Sequence, residues 1–190
     1  MKKKFRLTLN APVILIFCAL CLIIQIINAI SGGSFTHSLF TVYRTSFGDP
    51  LQYIRCFTHV MGHSSWDHLF NNLLYILLLG PMLEEKYGGI RLILLMAFTA
   101  LITGLFNIIF TPGTALLGAS GVVFMMILLC SYAAVKDGGL PITVLLVAAV
   151  YLGREIYNGL FTADNISQLA HLLGGLVGAV AGPILNKKRR

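Results

Sequence analysis

Apolar positions in this chain come in long blocks, without the short alternation of strands. Residues 11–30, 92–110 and 115–135 each run from end to end without a charged side chain, and roughly 17 to 25 such residues suffice to cross a bilayer as a helix. Three further runs are weaker: 68–83 is polar in its first turn, 140–153 stops at Arg154-Glu155, and 166–185 carries His171 in a glycine-rich apolar pattern. The pattern predicts six membrane spans in an all-α, polytopic bundle. Most connections are short, but residues 31–67 form a long one. Its Phe35, Phe40, Tyr43, Phe47, Tyr53, Phe57 and Trp66, interspersed with Arg44, Asp49 and Arg55, suit a structured segment in the outer interface. No repeat or soluble module is evident, so residues 1–190 read as one membrane domain with short basic tails at 1–10 and 186–190.

Composition agrees with that reading. The chain is 57% hydrophobic and 11% charged, with a mean hydropathy of +0.84, outside the range of soluble domains. Placing both termini inside puts eleven basic residues on the cytoplasmic side: Lys2, Lys3, Lys4, Arg6, Lys86, Arg91, Lys136, Lys187, Lys188, Arg189 and Arg190. Only Arg44, Arg55 and Arg154 then face outward. The net charge of +7 therefore reflects topology and contact with anionic headgroups, and no nucleic-acid partner is implied. The basic start and Ile27-Asn28-Ala29 also resemble a secretory signal, but the first apolar run is longer than a signal core and is expected to stay as a span. Cys18-x-x-Cys21 lies in that run without a βαβ context and reads as apolar filler.

Polar groups inside the spans are costly and point to function. Ser120 in Gly118-Ala119-Ser120-Gly121 and His171 in Ala170-His171 are the clearest cases. Each lies five residues into its run, counted from Ala115 and Ile166. If both runs are helical from those points, both groups sit roughly 7 to 8 Å below the same face. Gly174, Gly178 and Gly182 continue the face headed by His171 and permit tight helix packing, while Gly118 and Gly121 bracket Ser120. A hydroxyl and an imidazole brought within about 2.6 to 3.2 Å make a nucleophile and its base. His68 and Asn72, four residues apart on one helix face, are candidate hydrogen-bond donors for an oxyanion, together with the Ser120 backbone N–H.

Together these motifs resemble the rhomboid family of intramembrane serine proteases. His68-x-x-x-Asn72, the Gly-x-Ser-Gly at 118–121 and the Ala-His-x-x-Gly-x-x-x-Gly of Ala170, His171, Gly174 and Gly178 carry the resemblance. Phe57-Thr58-His59, His63, Glu84 and Gly88 extend it over residues 55–182. The resemblance implies a six-helix bundle with a long structured first loop, like the basic bacterial form, and a dyad of Ser120 as nucleophile and His171 as general base and acid. His68 and Asn72 would stabilise the oxyanion, with Gly121, Gly118, Gly174, Gly178 and Phe124 supporting. Phe124 stands where the family often has Tyr, leaving a ring that can stack but no hydroxyl. Ile54-Arg55 stands in place of a Trp-Arg pair.

The implied activity is hydrolysis of peptide bonds in or near transmembrane segments of membrane proteins in the bacterial cell membrane, without cofactor or metal. His59 and His63, spaced i and i+4, could bind a metal, but hydrogen bonding within the loop is the favoured reading. An inactive rhomboid-like protein that binds membrane clients is the alternative function. A transporter would favour broken helices in paired repeats, and none is visible.

Overall fold

The computed structural model describes residues 8–133, 140–161 and 168–187. Most of the two basic tails, Lys136 and Ile166 lie outside the described residues. The order of elements is α1 (Pro12–Ile30), α2 (Ser34–Leu39), α3 (Pro50–Thr58), a single 3-10 turn (His59–Met61), α4 (Trp66–Tyr87), α5 (Gly89–Phe110), α6 (Ser120–Ala133), α7 (Ile142–Phe161) and α8 (Gln168–Lys187). The six long helices fall on the six apolar runs, and the long connection holds α2, α3 and the 3-10 turn. By length and composition, α1, α5 and the Gln168–Asn186 part of α8 are sufficient to cross a membrane. The molecule is a helical membrane bundle.

Its centre is α6, which packs against α4, α5, α7 and α8. Val122, Val123, Met125, Met126, Leu128 and Leu129 are all buried, so this helix has no broad lipid face. By contrast, α1 exposes Ile16, Leu20, Ile23 and Ile27. Lipid tails solvate such a surface at no cost, whereas water would not.

At the end of the bundle away from the first loop, polar side chains close the helix ends. Residue 11, which precedes α1, is an alanine and cannot cap it. The first N–H groups of a helix have no partner within it, and Glu84 of α4 reaches across to supply one. Its two carboxylate oxygens accept from the N–H groups of Val13 and Ile14, each at 3.0 Å. Gly88, at φ +85°, then turns the chain directly from α4 into α5. The last carbonyls of α6 are served in the same way: Asn186 Nδ2 donates to Tyr132 O at 2.8 Å, and Lys86 Nζ donates to Tyr132 O at 3.2 Å and to Ala133 O. Placing a cation there also matches the negative end of the helix dipole.

At the other end, the first loop is docked onto α5. Asp49 caps α3 through Leu51 N at 3.0 Å, and Pro50 supplies a first-turn residue that needs no donor. Arg55 is buried, donates through Nε to Ser38 O at 2.8 Å and lies 4.5 Å from the centre of the Tyr43 ring. Its neighbour Ile54 is exposed, so the residue standing in the family's Trp position lies outside the loop's packing. The backbone of Cys56 lies directly on Gly104, where a Cβ would come within 2.8 Å of Cys56 Cα. His59 Nδ1 faces only carbonyls, Arg55 O at 3.2 Å and Cys56 O at 3.1 Å, so it must carry the proton. Nε2 is then an acceptor that faces the Thr103 hydroxyl of α5 at 3.3 Å, whose one proton is shared with Thr99 O at 2.9 Å and Ala100 O at 3.1 Å. Nδ1 thus fixes the ring within the loop, and Nε2 is its contact with α5.

Two outcomes follow for stability. Glu84→Ala strands two N–H groups of α1 and should cost about 2 to 4 kcal/mol, read from unfolding in detergent. Burial lowers the His59 pKa from the usual 6.5 to about 4. The unfolded chain therefore takes up a proton first as pH falls. The contribution of His59 is complete above about pH 6.5 and declines from there down to about pH 4, on the order of 2 kcal/mol being lost by pH 5. His59→Gln should flatten the stability-against-pH curve in that window.

Candidate active site

The chain between α5 and α6 corrects one expectation. Residues 115–119 are not helical; α6 begins at Ser120 itself, so a depth counted along a helix from Ala115 does not apply. The reason is a set of bonds that hold the segment extended. Val42 and Leu116 exchange both backbone hydrogen bonds at 2.9 Å. Asn107 Nδ2 donates to Thr114 O at 3.1 Å and to Val42 O at 3.4 Å, while its Oδ1 accepts from the hydroxyls of Thr111 and Thr114, each at 3.0 Å. Gly118 N donates to His59 O at 2.9 Å. Non-helical backbone at membrane depth is tolerated only where protein satisfies it.

Gly118 is required here twice over. Its φ is +115°, a conformation that side chains rarely adopt. A Cβ on it would also fall 2.6 Å from Cε1 and 2.7 Å from Nε2 of His68. The loop leading to Ser120 thus lies against the imidazole of His68, and Asn72 Nδ2 is within 3.8 Å of the same point. Asn72 is buried, and its Nδ2 has no hydrogen-bond partner. An unpaired amide donor in such a place costs about 1 to 3 kcal/mol unless something binds to it.

Ser120 is half-buried, and the residue after it is in backbone contact with α8. A Cβ on Gly121 would lie 3.2 Å from Ala170 O, one on Gly174 would overlap Gly121 O, and one on Gly178 would overlap Met125 O. Further along, Gly182 accommodates the ring of Tyr132. This seam brings the immediate neighbours of Ser120 and His171 together. His171 lies in the first described turn of α8 and is buried, and its ring lies flat on Phe124 at 4.4 Å between centroids and 5° between planes. Tyr151 of α7 meets Phe124 edge-on at 5.7 Å, so the stack is braced from behind. Sequence reasoning passed over Tyr151; its only signal is an aromatic ring in an otherwise aliphatic stretch.

His68 stands in the first turn of α4, whose cap is the Ser65 hydroxyl accepting from His68 N at 3.1 Å. His63 is fully buried and sets its ring edge-on to that of His68 at 5.0 Å. Burial, and secondarily the neighbouring His68, push the His63 pKa down to about 4. The structure thus gathers His68, Asn72 and Gly118 at one contact, Gly121, Ala170 and Gly174 at a second, and Phe124 and His171 at a third.

Fold and site describe a helical membrane protein in which a serine begins a central helix and its next residue meets, backbone to backbone, the residue before a buried histidine. A sequence model of the Rhomboid domain matches residues 50–188, and the chain belongs to the rhomboid family. It is 26% identical to the Rhomboid protease GlpG of Haemophilus influenzae over 95% of this chain and 94% of that protein. It is 29% identical to the chloroplastic Rhomboid-like protein 11 of Arabidopsis thaliana over 66% of the chain, spanning 50% of that protein's length. The mouse Rhomboid-related protein 2 is also 29% identical, over 67% of the chain and 46% of its own length.

Gly174→Ala should force α6 and α8 apart and destabilise the protein by about 1 to 3 kcal/mol or more. Gly153→Ala in α7, where a Cβ meets nothing within 4 Å, should leave the thermal midpoint in detergent unchanged or slightly raised.

Proposed function

We propose that this protein is an intramembrane serine endopeptidase that cuts transmembrane segments of membrane proteins with a Ser120–His171 dyad. The observation that carries the reading is the α6–α8 seam: Gly121 against Ala170 and Gly174 keeps backbone on backbone beside both groups, and Phe124 fixes the plane of the imidazole. His171 takes the proton of the Ser120 hydroxyl as Oγ attacks the scissile carbonyl carbon. The resulting imidazolium then protonates the leaving amine. A water deprotonated by His171 releases the acyl group from Ser120.

The oxyanion is stabilised by donors that are already in place. The unpaired Nδ2 of Asn72 is one, and an N–H of His68 is the second. Ser120 supplies the third, because the N–H of a first helical residue has no carbonyl one turn earlier. Asp67 is exposed at the start of α4 and is unsuited to be a buried third member of a triad. Suitable substrates carry Gly, Pro or polar residues near the cut, since a continuous helix keeps its carbonyls in hydrogen bonds and must unwind before attack. The basic ends face the cytoplasm, and the site opens toward the outer side of a bacterial cell membrane.

In liposomes with a tagged transmembrane substrate, the wild type should cleave and be labelled at Ser120 by a fluorophosphonate. Ser120→Ala and His171→Ala should do neither. Asn72→Ala should lower kcat about 100-fold with little change in KM. Equal cleavage by Ser120→Ala overturns the dyad; a folded wild type that neither cleaves nor labels shows a client-binding protein without catalysis.

A further inference from the structure

An oxyanion donor must present a proton at the right ring nitrogen. Neutral imidazole has one N–H and two places for it, and the hydrogen bond made by the other nitrogen selects which. The edge of His68 carrying Nε2 and Cε1 lies on Gly118, two residues from Ser120. Its far nitrogen, Nδ1, lies 3.1 Å from the hydroxyl oxygen of Ser64.

We infer that Ser64 is a positioning residue that fixes His68 as the Nε2–H tautomer and so aims its one proton at the reacting carbonyl. The inference rests on the proteolytic reading given above.

The neighbouring contacts fix the place of the ring and leave its tautomer open. The Ser65 hydroxyl holds the backbone N–H of His68 at 3.1 Å, His63 lies edge-on to the ring at 5.0 Å, and Gly118 limits its approach to the loop. Among these contacts, Ser64 is the one whose hydroxyl lies within hydrogen-bond distance of a ring nitrogen, on the side away from Gly118. A hydroxyl can donate or accept, but imidazole nitrogen is the better acceptor of the two. The Ser64 O–H therefore donates to Nδ1, and the proton stays on Nε2. Ser64 and Ser65 are successive residues with separate tasks: Ser65 begins the helix and Ser64 sets the chemistry of its third residue. Ser64 is exposed, so Ser64→Ala is expected to leave the thermal midpoint unchanged. Without it, water meets Nδ1 as either donor or acceptor, and both tautomers are populated.

The test pairs kinetics with a readout that needs no turnover. In full-length protein labelled with 15N-histidine, the ring signals of His68, identified by their absence in His68→Ala, should show a single Nε2–H tautomer. Ser64→Ala should show exchange between the two forms, with kcat reduced about 3- to 10-fold at unchanged KM and thermal midpoint, and Ser64→Thr should restore both. An unchanged tautomer and unchanged kcat in Ser64→Ala overturn the assignment. A wild type without turnover or labelling of Ser120 defeats the proteolytic reading instead, and the ring signals still decide what Ser64 does.

Discussion

Two helix backbones in direct contact, with no side chain between them, form the constraint on which the rest of this molecule depends. Lipid tails are as apolar as leucine, so helices in a bilayer gain little from burying one another and associate mainly through close packing. Here Gly121, Gly174 and Gly178 remove the side chains that would separate α6 from α8. The contact begins at the residues next to Ser120 and His171 and runs on through Gly178 to Gly182. Once α8 is held at this distance, Phe124 is near enough to lie flat on the imidazole, and α7 brings Tyr151 up behind it.

Starting α6 at Ser120 has a structural cost, because the preceding residues must cross the bundle without helical hydrogen bonds. The first loop supplies what is missing. Val42 pairs with Leu116, His59 O receives the N–H of Gly118, and Asn107 ties both strands of the crossing together. His59 in turn is anchored to α5 through Thr103. The loop is therefore the support that lets Ser120 stand at the head of a central helix.

The six spans and the structured first loop were legible in the sequence because long apolar runs and interfacial aromatics are local signals. The Gly-Ala-Ser-Gly and Ala-His segments stand out as candidates in the sequence because polar groups in such runs are rare, and the structure brings Gly121 and Ala170 of those segments together. The helix start was not: residues 115–119 are as apolar as the helix that follows, and only partners distant in the chain, Val42 and His59, hold them extended. The capping of α1 by Glu84 was hidden for the same reason, since the sequence around Ala11 offers no cap and the carboxylate arrives from α4. Lys86 read as a topology signal, yet it also closes the last turn of α6. Tyr151 follows no spacing rule because its role comes from the approach of α7 to Phe124.

A helix almost wholly enclosed by protein, with Asn186 and Lys86 holding its last carbonyls, is shielded from the thickness of the surrounding bilayer. Hydrophobic mismatch acts on helices that touch lipid, tilting or straining them as the hydrocarbon layer thins or thickens. That load falls on the outer helices, such as α1 with its exposed isoleucines, α4 with Leu74 and Leu78, and α8 with Leu176 and Ile184, while α6 rides inside the bundle as a fixed insert. The same architecture can therefore occupy membranes of differing width without retuning the helix that begins at Ser120.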